Sequence, residues 1–164
     1  MTELTRIELE ALALNYQDLV ASPKTLMLST ASLNGIPDIS YTPFVRSSNG
    51  AFYIFVSKLT SHTINLLNNP QASLLFIKSE AESPNLFARE RAILNCRAQK
   101  IERGDSLYNE QLNALQDKFG NVVGLLRTLS DFHLFALQPI SGRYVVGFGR
   151  AFTIDTANNS LHPI

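Results

Sequence analysis

Two Asn-Gly dipeptides, Asn34-Gly35 and Asn49-Gly50, each separate runs of strand-forming residues. Asn-Gly favours a two-residue turn with both residues at positive φ, so each dipeptide predicts a tight hairpin. Thr25 to Leu33, Ile36 to Arg46 and Ala51 to Ser57 are then three strands of one antiparallel meander. A chain that commits to such a meander this early folds around an antiparallel sheet.

The flanking segments extend the pattern. Leu4 to Val20 predicts an amphipathic helix, with Thr5 and Glu8 at capping-box spacing and Leu4, Ile7, Ala11 and Leu14 at helical spacing. Pro23 ends it. Ser61 to Asn68 predicts a short helix closed by Asn69-Pro70. Gln71 to Lys78 is a strand with an apolar centre, and Ala81 to Asn85 a polar link. Leu86 to Ile101 predicts a long strand in which Ala92, Leu94, Cys96 and Ala98 alternate with polar positions. Two helices follow, Ser106 to Phe119 and Val122 to Leu129, parted by Gly120. Phe132 to Gln138 is a strand, Pro139 to Gly142 a turn, and Arg143 to Ile154 the last strand or pair, with Gly147 and Gly149 marking a bulge or a close backbone approach. The expected fold is mainly β (α+β): an antiparallel, six-to-seven-stranded split β-barrel with flanking helices. It forms one domain over 1–164, with a helix in 1–22, the barrel in 24–155 and a short tail in 156–164.

Bulk properties narrow the function. The formal net charge is zero, so no basic excess exists to neutralise a nucleic-acid backbone. No apolar run reaches the ~20 residues that span a bilayer, and Met1 to Glu10 carries three glutamates and no apolar stretch. Cys96 is the only cysteine, which rules out an intrachain disulfide and predicts a cytoplasmic protein. Its place on an alternating strand predicts a small buried side chain rather than a reactive thiol.

The segment Val56-Ser-Lys-Leu-Thr-Ser-His62 has the composition of a binding site. Ser57, Lys58, Thr60, Ser61 and His62 end a strand and open a helix, where hydroxyls, a cation, an imidazole and free N–H groups can hold an anion. Ordinary helix capping by Thr60 or Ser61 accounts for the same residues. Arg89 and Arg91 share one face of the predicted strand and suit carboxylates; a solvated strand face is the other reading. Asp131 reads as a strand-entry cap, and His133 as a surface or satisfied histidine.

Pro43-Phe44-Val45, Val56 to His62, Asn65-Leu66 and Asn69-Pro70 resemble the N-terminal half of the pyridoxamine 5′-phosphate oxidase-like split barrels. Leu86 to Arg91, Lys118-Phe-Gly120, Leu129 to Phe135 and Gly147 to Phe152 look like the haem-utilisation proteins of the HugZ/HutZ type within that superfamily. The resemblance runs from about Lys24 to Phe152. It implies a homodimer with a small-molecule cofactor at the subunit interface; the charge balance and the lack of a long apolar run predict neither a nucleic-acid nor a membrane partner. In the flavin enzymes the positions matching Ser57, Lys58, Thr60, Ser61 and His62 hold the FMN phosphate. In the haem branch it implies haem held by Arg89 and Arg91 at the propionates. The catalytic Asp131 would support an iron-ligating histidine from across the interface, and His162 is the histidine available near the C-terminus. Three functions follow from the resemblance: a haem-binding or haem-degrading protein, an FMN-dependent oxidoreductase or FMN carrier, and a binding module without either cofactor.

Overall fold

The structure, a computed structural model, describes residues 4–164; the first three residues of the N-terminal segment lie outside it. Helix α1 (Arg6–Ala21) begins with the expected capping box: Thr5 Oγ1 accepts from the Glu8 N–H, and Glu8 Oε2 accepts from the Thr5 N–H at 2.8 Å. Its buried face differs from the expected one. Ile7 and Leu14 are exposed, whereas Tyr16 and Val20 are buried, with Leu9, Leu12, Ala13 and Leu19 packed beside them. Two apolar stripes fit this helix, and the one carrying the bulky Tyr16 ring docks, its ring tilted against Tyr144 with centroids 5.7 Å apart.

The strands are β1 (Thr25–Ala31), β2 (Pro37–Pro43), β3 (Val45–Arg46), β4 (Phe52–Ser57), β5 (Gln71–Ile77), β6 (Arg91–Ile101), β7 (Phe132–Gly147), β8 (Arg150–Ile154) and β9 (Leu161–Pro163). Helices α2 (Ser61–Asn68), α3 (Ser106–Phe119) and α4 (Asn121–Leu126) are inserted between them. Every pairing is antiparallel, in the order β2-β1-β5-β6-β7-β4-β3. That path holds seven strands, within the expected six to seven, and β8 and β9 extend from β7 outside it. The sheet is not closed by hydrogen bonds. Its two ends, β2 and β3, are consecutive pieces of chain that bend at the buried Phe44.

Both Asn-Gly hairpins form, with a different turn. Only Gly35 and Gly50 take positive φ, at 81° and 85°. The Gly35 and Gly50 N–H groups donate to the Ser32 and Ser47 carbonyls, as in a type I turn followed by a left-handed residue.

The larger departure is at Pro139 to Gly142, which is no turn. β7 runs unbroken through it, pairing β4 with its first half, β8 with its second and β6 along most of its length. Cys96 stands opposite Pro139 and Asn95 opposite Ser141, leaving Ile140 as an extra residue. Phe135 and Leu137 face the core before this bulge, and Tyr144 after it. The inserted residue resets the two-residue alternation so that both halves of β7 face inward. Gly142, just past it, is buried. A Cβ there would lie 2.7 Å from Leu94 Cδ2 and 2.9 Å from Ile154 Cδ1. Gly142→Ala should therefore cost about 1–3 kcal/mol by overpacking, read as a lower midpoint in urea unfolding.

The core has two parts. One fills the barrel, where Leu26, Leu28, Leu74, Leu94, Phe52 and Tyr144 are fully or almost fully buried. The other lies outside the barrel wall, where Tyr53, Leu134 and Ala136 meet Tyr108, Leu112, Leu115 and Val123 of α3 and α4. Cys96 is buried as expected, and burial pushes its thiol up to about 12. No helix of the described residues is long and apolar enough to cross a membrane.

Candidate functional site

The residues singled out in the sequence fall into two groups at opposite ends of β6 and β7. Ser57 ends β4 opposite Phe132, which brings Asp131 beside the Ser57–His62 turn. Ser57 Oγ donates to Asp131 Oδ2 at 2.5 Å and accepts from the Leu59 N–H at 3.1 Å. The Lys58 N–H donates to the Asp131 carbonyl at 2.8 Å. Thr60 Oγ1 donates to the Ser57 carbonyl at 2.8 Å and meets Thr63 Oγ1 at 2.9 Å. Ser61 Oγ donates to Asp38 Oδ2 at 2.5 Å. Neither reading of this turn survives unchanged. The side chain of Thr60, the residue that precedes α2, makes no capping bond, and the hydroxyls point at carboxylates and a carbonyl instead.

His62 is half-buried. Burial holds its pKa below the usual histidine value, while Asp38 pulls it the other way. His133 is also depressed, by burial first and then by Lys100, Lys58 and Arg103. Lys58 is exposed and forms no ion pair among the described residues.

The second group differs from expectation. β6 starts at Arg91, and Leu86–Ala88 is a turn of 3₁₀ helix, so Arg89 precedes the strand and the arginines do not share a strand face. Asn85 accepts from the Phe87 N–H and, together with Pro84, keeps the chain out of the sheet here. Arg89 donates through Nε and Nη2 to the Lys78 carbonyl, at 3.1 and 2.5 Å, and Arg91 Nη1 donates to the Arg89 carbonyl at 3.0 Å. Between them, Glu90 takes the Tyr144 hydroxyl and a Lys78 ion pair at 3.2 Å. Burial and this carboxylate raise the Tyr144 pKa well above the usual phenol value. Each guanidinium keeps further N–H donors. His162 lies on β9 rather than on a free tail, opposite Thr153, with Ser160 Oγ at 3.3 Å from its Nε2.

Arg91 stands at the start of β6 and Ile101 at its end, opposite Leu134 near Asp131. Ten residues of strand at ~3.3 Å each separate the two groups by roughly 33 Å along β6. His162 is level with Arg143, also far along β7 from Asp131.

Beside the first group lies an apolar groove of about 240 Å³ between Pro43, Phe55, Leu115, Phe119, Val122 and Leu126. The Phe55 ring packs, tilted, against Phe132, next to Asp131, with centroids 5.1 Å apart. Sequence reading missed this groove and missed Asp38, because both depend on residues distant in the chain.

Residues 13–146 match the family model described as pyridoxamine 5′-phosphate oxidase. Over 131 residues the chain is 38% identical to HutZ of Vibrio cholerae serotype O1, named a heme oxygenase, covering 80% of this chain and 74% of that protein. The chain belongs to the HutZ type of this family. The crystal structure of Vibrio cholerae HutZ, there called a heme storage protein, superposes with a TM-score of 0.71 at 35% identity, covering 76% of this chain and 87% of HutZ. Campylobacter jejuni ChuZ superposes with a TM-score of 0.82 at 25% identity over 100% of this chain, which spans 64% of ChuZ. The match to the family model ends at Val146, so β8 and β9 of this HutZ-type chain lie beyond the matched residues.

Proposed function

We propose that the protein binds haem between two copies of the chain and serves haem utilisation in the cytoplasm. The observation that carries this reading is the splitting of the haem-suited side chains. The Asp131 carboxylate and an apolar groove stand at one end of the barrel, and Arg89, Arg91 and His162 at the other. A porphyrin needs an apolar bed, cations for its propionates and an imidazole for its iron. The chain carries all three, but not in one place. The groove of about 240 Å³ is also smaller than the roughly 300–1,000 Å³ of pockets that enclose a ligand. A second copy can supply the missing part of both.

The outer face of the sheet offers a seam for that second copy. Tyr41, Met27, Leu75 and Ile93 lie in one row across β2, β1, β5 and β6. Their strand neighbours Thr42, Leu26, Leu74 and Leu94 face the core, so this row faces outward. Ile39, next to it, is 69% exposed. An apolar row of this kind on one sheet face suits a self-complementary interface.

Within the site, Ser57 fixes one carboxylate oxygen of Asp131 and leaves the other to orient an imidazole. Arg89 and Arg91 would hold the propionates with their remaining N–H donors. Bound haem would supply the iron for oxygen chemistry, and HutZ of Vibrio cholerae, which this chain resembles, carries both names, heme oxygenase and heme storage protein. A hemin titration followed at the Soret band tests the reading. Saturation at one haem per chain is expected. His162→Ala should shift the band and weaken binding about tenfold or more, the usual scale for losing a metal-site contact. A parent protein that leaves the hemin spectrum unchanged would reject haem binding, and an unaltered His162→Ala spectrum would reject His162 as the ligand.

A further inference from the structure

By composition the Ser57–His62 turn is an anion site, yet its hydroxyl donors are already committed. Ser57 Oγ and Ser61 Oγ donate to Asp131 and Asp38, each at 2.5 Å, and Thr60 Oγ1 donates to the Ser57 carbonyl at 2.8 Å. The carboxylates come from different parts of the fold, Asp38 from β2 and Asp131 from the residue before β7. Neither forms an ion pair among the described residues. A phosphate arriving at the turn would therefore meet two like charges. To gain the serine donors it would also have to break two charge-assisted hydrogen bonds. A neutral or aromatic group meets neither obstacle. We propose that Asp38 and Asp131 are specificity-determining residues that close this turn to phosphate-bearing ligands. The same serines that would bind a phosphate hold the carboxylates that repel it, and the proposal stands apart from whether haem binds.

The probes are FMN and riboflavin, which differ only by the phosphate. Both are titrated by fluorescence quenching into the full chain and into an Asp38→Asn/Asp131→Asn double variant. Removing a like charge near a protein surface changes affinity for an anion by about tenfold, so the double variant should bind FMN about 100-fold more tightly than the parent. Riboflavin affinity should not change. Equal FMN affinity in parent and double variant, or an equal gain for riboflavin, overturns the proposal. Circular dichroism checks that the double variant folds. If it does not, Asp38→Asn alone decides, with about a tenfold gain for FMN expected and no gain overturning the idea.

Discussion

Phe52→Ala should unfold about 6–20 °C below the parent protein, at ~2–4 °C per kcal/mol for a domain of this size. Phe52 is fully buried at the centre of the barrel, with the Phe44 and Phe76 rings each 5.5 Å away. The Arg46 guanidinium lies over its ring at 5.1 Å. Truncating it removes one side of this cluster, and the neighbouring strands cannot close the gap because each is pinned by its own ladder. Loss of a buried phenylalanine costs about 3–5 kcal/mol, a large part of the ~5–15 kcal/mol that holds a domain together. Phe87→Ala is the control. Phe87 is 90% exposed, so its loss should move stability by no more than about 0.5 kcal/mol. Thermal unfolding by circular dichroism reads both, and comparable shifts would mean that the aromatic cluster is not the centre of the core.

Leu75→Glu should turn the proposed dimer into a monomer and take haem binding with it. Leu75 occupies the middle of the outward apolar row, paired with Met27 on one side and Ile93 on the other. It is half-buried in the single chain, so the substitution leaves the barrel core intact. Across a two-fold seam it would place two like charges in the middle of the contact, at about 2–5 kcal/mol. Association should weaken about 100-fold, and hemin affinity should fall with it, because each copy alone holds only half of the proposed site. Size-exclusion chromatography with light scattering reads the first effect, and Soret titration the second. A dimeric Leu75→Glu protein would place the seam elsewhere, and a monomer that binds hemin normally would show the site complete in one chain.

Much of the fold was legible because local chemistry and tertiary packing agree. α3 spans Ser106–Phe119 as read, with Asp105 accepting from the Leu107 N–H at its start and Gly120 at φ 83° at its end. The hairpins at Asn34-Gly35 and Asn49-Gly50 form for the same reason, but the strand expected over Ile36 to Arg46 splits at Phe44 into β2 and β3 at opposite ends of the sheet path, so the three strands are not one meander. Pro139 misled: it is a turn former by composition, but here it sits at a bulge in a strand that three partners hold in the sheet. Leu161 to Pro163 carries no strand signal of its own and becomes β9 only because β8 offers an edge. The candidate residues could be named from the sequence, but not their arrangement. That Ser57 belongs to Asp131 and Ser61 to Asp38 depends on contacts across many residues of chain, which local pattern does not encode. The spacing of Arg89 and Arg91 suggested one strand face, whereas Arg89 instead ties the loop to Lys78.

Sedimentation of the hemin-loaded protein, followed at once by protein absorbance and by the Soret band, most directly tests whether haem sits between two copies of this chain. The expected result is a single boundary at the mass of a dimer, with both signals moving together and one haem per chain. Soret absorbance travelling with a monomer, or left behind as free hemin while the dimer sediments, would contradict it.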